Sequence, residues 1–177
     1  NTNNKNKIGA EILCIGSELL LGNIVNTNSQ WIAEQLAILG IPHFRQNVVG
    51  DNPERLKEAI LEASNRSEIL ITTGGLGPTP DDITTQVIAD TFNTPLEQRN
   101  DILIDLKNKS RSKDRKLSQS QKKQSLVPKG SKLINNYSGT APGIIWSPKN
   151  NFTILTFPGV PSELKEMWVN EAEKWLI

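Results

Sequence analysis

The sequence predicts an α/β fold built on a parallel β-sheet, and three observations carry that prediction. Short apolar runs rich in β-branched residues alternate with amphipathic stretches over about the first ninety residues. Turn-forming residues such as Gly, Pro and Asn follow these runs. Three strand–helix units occur in succession, which implies parallel strands joined by right-handed crossovers. Ligands of such sheets bind beyond the carboxyl ends of the strands, so we expect the functional site there.

The first two units are delimited by turn and capping residues. A strand is predicted at residues 10–15, and a helix from about residue 28 to 39, where Gly40 takes the C′ position that glycine favours. The second strand is predicted at residues 42–49. The next helix begins within Asp51-Asn52-Pro53-Glu54, with proline near its first position. The apolar residues of this helix recur at helical spacing: Leu56, Ile60, Leu61 and Ala63.

The third unit contains the most distinctive stretch, ITTGGLGPTPDD at residues 71–82. A strand at residues 69–73 precedes it, and a helix at 83–91 follows, for which Asp81 or Asp82 is the expected N-cap. A strand, a glycine-rich turn and a helix start together present backbone N–H groups to a phosphate. An ordinary tight turn with a capping aspartate is the alternative interpretation.

The glycines of this turn carry the ligand-binding prediction. Gly74, Gly75 and Gly77 permit positive φ angles and a bare backbone close to a ligand. We therefore expect Gly75→Val to abolish ligand binding while the protein stays folded, because a β-branched side chain blocks the backbone.

The middle of the chain is strongly basic. Residues 107–125 hold eight Lys or Arg and one Asp, a net charge of +7 in a chain whose total is +1. A solvated helix face or a mobile lid is one interpretation of this segment. A basic wall for an anionic substrate is the other.

The last third of the chain predicts three more strands and a closing helix. The strands are expected at residues 132–134, 143–146 and 152–157, with a hairpin turn at Asn150-Asn151 between the last two. The helix begins at about Pro161, and its expected core face consists of Leu164, Met167, Trp168, Ala172, Trp175 and Leu176. We find no internal repeat and expect a disordered tail at residues 1–7 followed by a single domain at 8–177.

Composition excludes several classes of protein. With 36% hydrophobic and 22% charged residues, the chain has an ordinary globular composition, and no apolar run approaches the roughly 20 residues of a membrane helix. The polar start NTNNKNK is not a signal peptide, and the missing initiator Met suggests a piece of a longer protein. Cys14 is the only cysteine, which suits the reducing cytoplasm. We expect neither nucleic acid nor membrane as a partner.

Three acidic residues follow the three predicted parallel strands. Glu18, Asp51 and Asp82 each lie in the loop after a strand, so they are expected at one edge of the sheet. Clustered carboxylates suggest a bound cation, most simply Mg²⁺ shared with phosphate oxygens. Helix caps or solvated loop residues are the alternative. A fourth loop, residues 157–163, also joins a strand to a helix start and suits a further anionic group.

Five motifs in order resemble the CinA family of competence/damage-inducible proteins. These motifs are GSELLLG with NTN at residues 16–28, VVGDN at 48–52, TGGLGPT with DD at 73–82, GTAPG at 139–143 and PGVPSEL at 158–164. The resemblance runs from about Lys7 to the end, with Phe157 and Val160 departing from the usual Leu and Pro. Family members usually continue into a second domain with nicotinamide-mononucleotide amidase activity, which we do not expect of this chain.

The resemblance implies a three-layer α/β/α domain of the MoaB/MogA molybdopterin-binding type, with a mixed, mainly parallel sheet. In CinA relatives this domain is associated with metal-dependent hydrolysis of ADP-ribose and similar dinucleotides. In MogA-like relatives the same pocket holds molybdopterin, and acids matching Asp51 and Asp82 serve metal or adenylate chemistry.

These inferences together predict a metal-dependent pyrophosphatase. Asp51 and Asp82 are the expected catalytic residues, and with Glu18 they are expected to hold Mg²⁺, Mn²⁺ or Co²⁺, whose bound water is the nucleophile. Neither Cys14 nor His43 is placed to act as one. The residues expected to bind phosphate or nucleotide are Ser17, Gly74, Gly75, Gly77, Thr79, Gly159 and Ser162.

Two alternatives to an enzyme remain open at the level of sequence. One is a non-catalytic binder of nucleotide or pterin, and the other is an interaction module for competence or DNA-damage partners. We also expect a homodimer, because four tryptophans exceed what a small α/β core commonly needs: Trp31, Trp146, Trp168 and Trp175.

Overall fold

The computed structural model describes residues 9–110 and 116–177. Its first half consists of three strand–helix units in the order β1 (Ala10–Ile15), α1 (Ser17–Leu20), α2 (Thr27–Ile38), β2 (His43–Val49), α3 (Pro53–Arg66), β3 (Ile69–Thr73) and α4 (Thr84–Thr91). The second half contains β4 (Leu96–Gln98), α5 (Asn100–Lys109), α6 (Gln119–Lys123), β5 (Leu126–Pro128), β6 (Lys132–Ile134), β7 (Gly143–Lys149) and β8 (Phe152–Phe157). The chain closes with α7 (Pro161–Met167), a π-helical turn (Trp168–Ala172) and α8 (Glu173–Leu176).

The main sheet has six strands in the order β2-β1-β3-β8-β7-β6. Strands β2, β1, β3 and β8 are mutually parallel, whereas β7 runs antiparallel to both β8 and β6. At the centre of the sheet Ile12 pairs with Ile71, which in turn pairs with Leu155. The α/β class with a mixed, mainly parallel sheet is therefore confirmed.

Helices cover both faces of this sheet, which gives the three layers. Along β1, Leu13 and Ile15 pack against α3, α4 and α5 on one face, while Ile12 and Cys14 pack against α2 and α7 on the other. This alternation follows from the two-residue repeat of a strand. Burial raises the pKa of the Cys14 thiol, so the thiol stays protonated, as befits a residue of the core.

Most of the predicted helix boundaries are confirmed. Asn52 caps α3 by accepting a hydrogen bond from the N–H of Arg55 at 3.0 Å, and Pro53 is its first residue. Gly40 has φ +71° just after α2. The expected capping of the next helix is wrong, because Ile83 occupies the N-cap of α4 and no side chain caps it. Asp82 bonds to its own turn instead, as described below.

A second small sheet escaped the sequence analysis. Strands β4 and β5 pair antiparallel over three residues each, too short a length for periodicity to register. The hairpin turn between β7 and β8 is confirmed, with Asn151 at φ +57°. Within the described residues, no helix combines the length and apolar character that a membrane span requires. The predicted tail at residues 1–7 lies outside the described ranges.

The closing helical segment buries four of the six residues expected of it. Leu164, Met167, Trp168 and Ala172 are buried, whereas Leu176 is partly buried and Trp175 is 41% exposed. Of the other tryptophans, Trp146 is buried, and the partly buried Trp31 packs edge-on against Trp168 with ring centroids 5.7 Å apart. The expected homodimer stays a prediction, and Trp175 is the most exposed of the four rings.

Candidate functional site

A cleft of about 850 Å³ opens at the carboxyl ends of β1, β3 and β8. Four segments form its walls. We call residues 16–28, after β1, the first loop, and residues 74–82, after β3, the glycine turn. The other two walls are the turn at 139–141 and the loop at 158–163 after β8. The cleft thus lies where the parallel topology places a ligand site.

The backbone of the glycine turn is shaped by its neighbours. Gly74 and Gly75 have φ angles of +105° and +70°. The N–H of Gly74 donates to the Phe157 carbonyl at 2.9 Å, and the Thr84 hydroxyl donates to the Gly74 carbonyl at 2.9 Å. A Cβ on Gly74 would lie 2.1 Å from the Ile15 carbonyl oxygen. Glycine is therefore required here by both conformation and packing.

The same turn leaves two backbone donors without a partner. Across residues 9–110 and 116–177, no hydrogen bond uses the N–H of Gly75 or Gly77, and both residues line the cleft. Successive backbone N–H groups in a turn can form a concavity for anions. The predicted phosphate site at this turn therefore stays a prediction, and its two donors are not used by the rest of the described chain.

Asp82 lies at the end of the glycine turn and braces it. One carboxylate oxygen of Asp82 accepts from the N–H of Thr79 at 3.0 Å and from the Thr79 hydroxyl at 2.7 Å. A Cβ on Gly77 would approach this carboxylate to 2.6 Å, so Gly77 makes room for it. Both Thr79 and Asp82 line the cleft.

Asp51 and Glu18 line the same cleft from the other side. Asp51 and Ser17 bond reciprocally: the N–H of Asp51 donates to the Ser17 hydroxyl at 3.0 Å, and the N–H of Ser17 donates to the Asp51 carboxylate at 3.3 Å. The Glu18 carboxylate is folded back against Gly16. Ser17 is thus bonded to Asp51 and lies outside the cleft lining, and its expected phosphate contact stays a prediction.

Of the two remaining predicted site residues, Gly159 and Ser162, only Gly159 lines the cleft. Gly159 lines the cleft, and a Cβ there would meet only the Gly74 Cα, at an ordinary 3.6 Å. Ser162 is exposed on α7 and lies outside the lining. Its expected role in binding phosphate stays a prediction.

The three carboxylates line one cleft without forming a ready-made ion cage. In the part of the chain that the structure describes, no three His, Cys, Asp or Glu side chains are grouped to hold a metal ion. Mg²⁺ rarely uses such a cage, because it is commonly bound through one or two carboxylates, waters and substrate phosphates. The all-oxygen donor set of Asp51 and Asp82 fits a cation bound in that way.

Asn28 is a site residue to which the sequence analysis gave no role. Its side-chain NH₂ donates to the Thr73 hydroxyl at 3.1 Å and to the Gly159 carbonyl at 2.9 Å, so it ties the first loop to two other walls. Its Oδ1 is buried without a partner among the described residues. The only sequence cue was its place in the NTN motif.

Gln124, just after α6, connects two walls of the cleft. Its side-chain NH₂ donates to the Thr140 hydroxyl at 3.2 Å and to the Leu76 carbonyl at 3.5 Å. Asn136 and Glu163 hold the turn at 139–141 from below, with the Asn136 amide donating to the Glu163 carboxylate at 2.7 Å. Gln124 belongs to the basic segment, so that segment does reach the site. Arg111, Lys113 and Arg115 of the same segment lie outside the described residues.

The fold and cleft define a class of protein. The chain matches, over residues 11–176, the family described as "Probable molybdopterin binding domain". MoaB from Thermus thermophilus, titled a molybdopterin biosynthesis enzyme, shares this fold with a TM-score of 0.57 at 18% identity, covering 90% of this chain and 86% of that one. The Mog protein from Mycobacterium ulcerans does so with a TM-score of 0.60 at 17% identity, covering 96% and 97%.

Within that class the chain belongs to the CinA family. The protein CinA from Thermoplasma acidophilum, titled as of unknown function, superposes with a TM-score of 0.89 at 32% identity, covering 95% of this chain and 97% of that one. A CinA-like protein from Prochlorococcus marinus (strain NATL1A) is 87% identical over 175 residues, and one from Synechococcus sp. (strain RCC307) is 62% identical over 168. The chain spans about two fifths of the length of these two relatives: 41% and 40%.

Proposed function

We propose that the cleft binds a phosphorylated nucleotide and, with a divalent cation, hydrolyses the phosphoanhydride bond of ADP-ribose or a related dinucleotide. The observation that carries the proposal is that two glycines with unbonded N–H groups and three acidic residues line one cleft. The volume of about 850 Å³ lies in the range of known ligand sites and accommodates a dinucleotide.

The residues of the cleft divide the work between phosphate binding and cation binding. The N–H groups of Gly75 and Gly77 donate to phosphate oxygens and stabilise the negative charge that develops on them. Asp82, which bonds to Thr79, and Asp51, which bonds to Ser17, would offer carboxylate oxygens to a cation. Phosphate oxygens of the ligand would complete the coordination of that cation. A bound divalent cation supplies charge neutralisation and a more acidic water at phosphorus.

A second candidate function is non-catalytic binding of a molybdopterin-like ligand. It is favoured by a specific observation: the Asp82 carboxylate already accepts two hydrogen bonds from Thr79, as a purely structural turn residue would. The same donors at Gly75 and Gly77 would then hold the phosphate of a pterin. The two candidates differ in whether Asp82 is needed for turnover or only for shape.

Asp82→Asn separates these candidates. For an enzyme we expect hydrolysis of ADP-ribose with Mg²⁺, Mn²⁺ or Co²⁺ to fall at least about a hundredfold, the scale of losing one preorganised electrostatic contact. The amide oxygen of Asn still accepts from Thr79, so the melting temperature should change little. Metal-free nucleotide affinity should be unchanged or higher, because a negative charge facing phosphate is removed.

Asp81→Asn is the matched control, since Asp81 is exposed, lines the same cleft and makes no side-chain hydrogen bond within the described residues. It should retain nearly all activity. A parent protein that binds ADP-ribose but turns it over with none of the three metals would support the binder. Equal losses in Asp81→Asn and Asp82→Asn would contradict a specific role for Asp82.

A further inference from the structure

Two lysines of the basic segment bond to the backbone of the cleft walls. Lys123, at the end of α6, donates to the carbonyl of Thr79 at 2.7 Å and to the carbonyl of Asp82. Lys109, at the end of α5, donates to the carbonyls of Gly139, at 2.7 Å, and Asn136. Each ammonium group thus bridges both ends of one short turn: 79–82 in the first case and 136–139 in the second.

These contacts differ from those of a surface lysine. An ammonium group that donates to two carbonyls makes charge-assisted hydrogen bonds, which are stronger than neutral ones. Both lysines are partly buried. Lys109 also pairs with Asp105 at 2.6 Å, whereas none of the ion pairs within the described residues joins Lys123 to an acid of the cleft. Lys123 therefore bonds to the backbone carbonyl of Asp82 and forms no ion pair with its carboxylate.

The Lys123 contacts bear directly on the geometry of the site. The Asp82 carboxylate accepts a hydrogen bond from Thr79, and Lys123 donates to the backbone carbonyls of the same two residues. Gln124, the next residue, reaches Leu76 and Thr140. Lys123 and Gln124 together therefore bond to the end of the glycine turn, to its middle and to the facing turn at 139–141.

We propose that Lys123 is a positioning residue, which sets ligand affinity by holding the glycine turn in its binding shape without touching the ligand. The proposal rests on the proposed function, because it concerns the same cleft. It differs from the idea of a basic wall, in which the segment attracts an anion through its summed charge.

The two explanations make different predictions about salt. A basic wall acts at a distance, so removing any one of its charges should weaken binding similarly, and the loss should vanish at high ionic strength, where exposed charges are screened. A positioning contact acts through geometry. Its loss should be specific to one lysine and should persist in high salt, since the turn itself has lost its support.

The test compares Lys123→Met with Lys122→Met, because Lys122 is the exposed neighbour whose ammonium group makes no hydrogen bond or ion pair within the described residues. Calorimetry would measure the affinity for ADP-ribose and for inorganic pyrophosphate, both without divalent metal so that no turnover occurs, at low and at high salt. We expect Lys123→Met to lose about tenfold in both conditions, the effect of losing one charged hydrogen-bonding group. Lys122→Met should stay within about twofold of the parent.

Lys123→Arg supplies the rescue control. Its guanidinium keeps the charge and can donate to two carbonyls, so it should recover at least part of the lost affinity. Equal affinities for Lys123→Met and the parent would overturn the proposal, as would equal losses in the two Met variants that disappear at high salt. An Arg variant as weak as the Met variant would also count against it.

A ligand-free measurement keeps this proposal separate from the proposed function. Hydrogen exchange of the peptide covering residues 76–83 should be faster in Lys123→Met than in Lys122→Met, because the turn opens more often without its clamp. Identical exchange in both variants would overturn the positioning role. A parent protein that binds neither ADP-ribose nor pyrophosphate would instead overturn the proposed function, and the exchange result would still decide whether Lys123 holds the turn.

Discussion

The first loop and the glycine turn follow adjacent strands of the same sheet and line the same cleft, yet they are held in different ways. Each contains a glycine at nearly the same backbone angle, with φ +72° at Gly22 and φ +70° at Gly75. A Cβ on Gly75 would lie 2.1 Å from the Thr84 hydroxyl oxygen, whereas a Cβ on Gly22 would meet nothing within 4 Å. The same local conformation is thus enclosed by packing in one wall and open to solvent in the other.

The apolar side chains of the two walls show the same contrast. In the glycine turn Leu76 is 8% exposed, and its carbonyl accepts from Gln124. In the first loop four apolar side chains stand largely in solvent: Leu20, Leu21, Ile24 and Val25. The difference teaches that one wall is preorganised by contacts from α4, α6 and β8, while the tip of the other is shaped mainly by its own chain.

The largest expected effect comes from enlarging Gly75, with Gly22 as its comparison. Gly75→Val should lower the free energy of unfolding by about 4 kcal/mol or more, because backbone strain is joined by a clash with the hydrogen-bonded Thr84. This revises the expectation that Gly75→Val stays folded. Gly22→Val, with the same φ and open space, should cost about 1–2 kcal/mol. Denaturant unfolding measures the free energy of unfolding of both variants. Equal losses would contradict the inference that packing encloses Gly75 but not Gly22.

An intermediate effect on stability is expected from removing one hydrogen bond of the glycine turn. Thr84→Val deletes the hydroxyl that donates to the Gly74 carbonyl within the core, which should cost about 1–3 kcal/mol. Thr85→Val is the matched control, since Thr85 lies next in α4 and its hydroxyl makes no hydrogen bond within the described residues. It should change stability by less than about 0.5 kcal/mol. Thermal unfolding of the pair gives the answer, and a neutral Thr84→Val would mean that the turn does not depend on this bond.

The smallest effect on stability is expected in the first loop. Val25→Ser removes an apolar side chain that is 82% exposed, so the free energy of unfolding should shift by less than about 0.5 kcal/mol. Val25 lines the cleft, so any change in ADP-ribose affinity in this variant reports on contact with the ligand. Leu21→Ser is the control, being 73% exposed in the same loop but outside the cleft lining. A large loss of stability in Val25→Ser would mean that the loop is better ordered than its exposure indicates.

Much of the secondary structure was determined by the sequence alone. The bounds of β1 and β3 agree with the apolar runs that predicted them, and the start of α3 agrees with its Asn52-Pro53 pair. These features depend on residues close together in the chain, where periodicity and capping act directly. The same holds for the glycine turn, since its residue types restrict the backbone wherever it lies.

The tertiary structure decided how those parts meet. The strand order, the small β4–β5 sheet and the burial of Trp168 depend on contacts between distant residues. So do the bond from Lys123 to Asp82, across 41 residues, and that from Asn28 to Gly159, across 131. From the sequence alone, Lys123 was one charge in a basic segment, and Asn28 was one polar residue in a loop motif. Only folding gave them particular carbonyl partners, because a hydrogen bond depends on a separation of about 3 Å in space, which local periodicity does not encode.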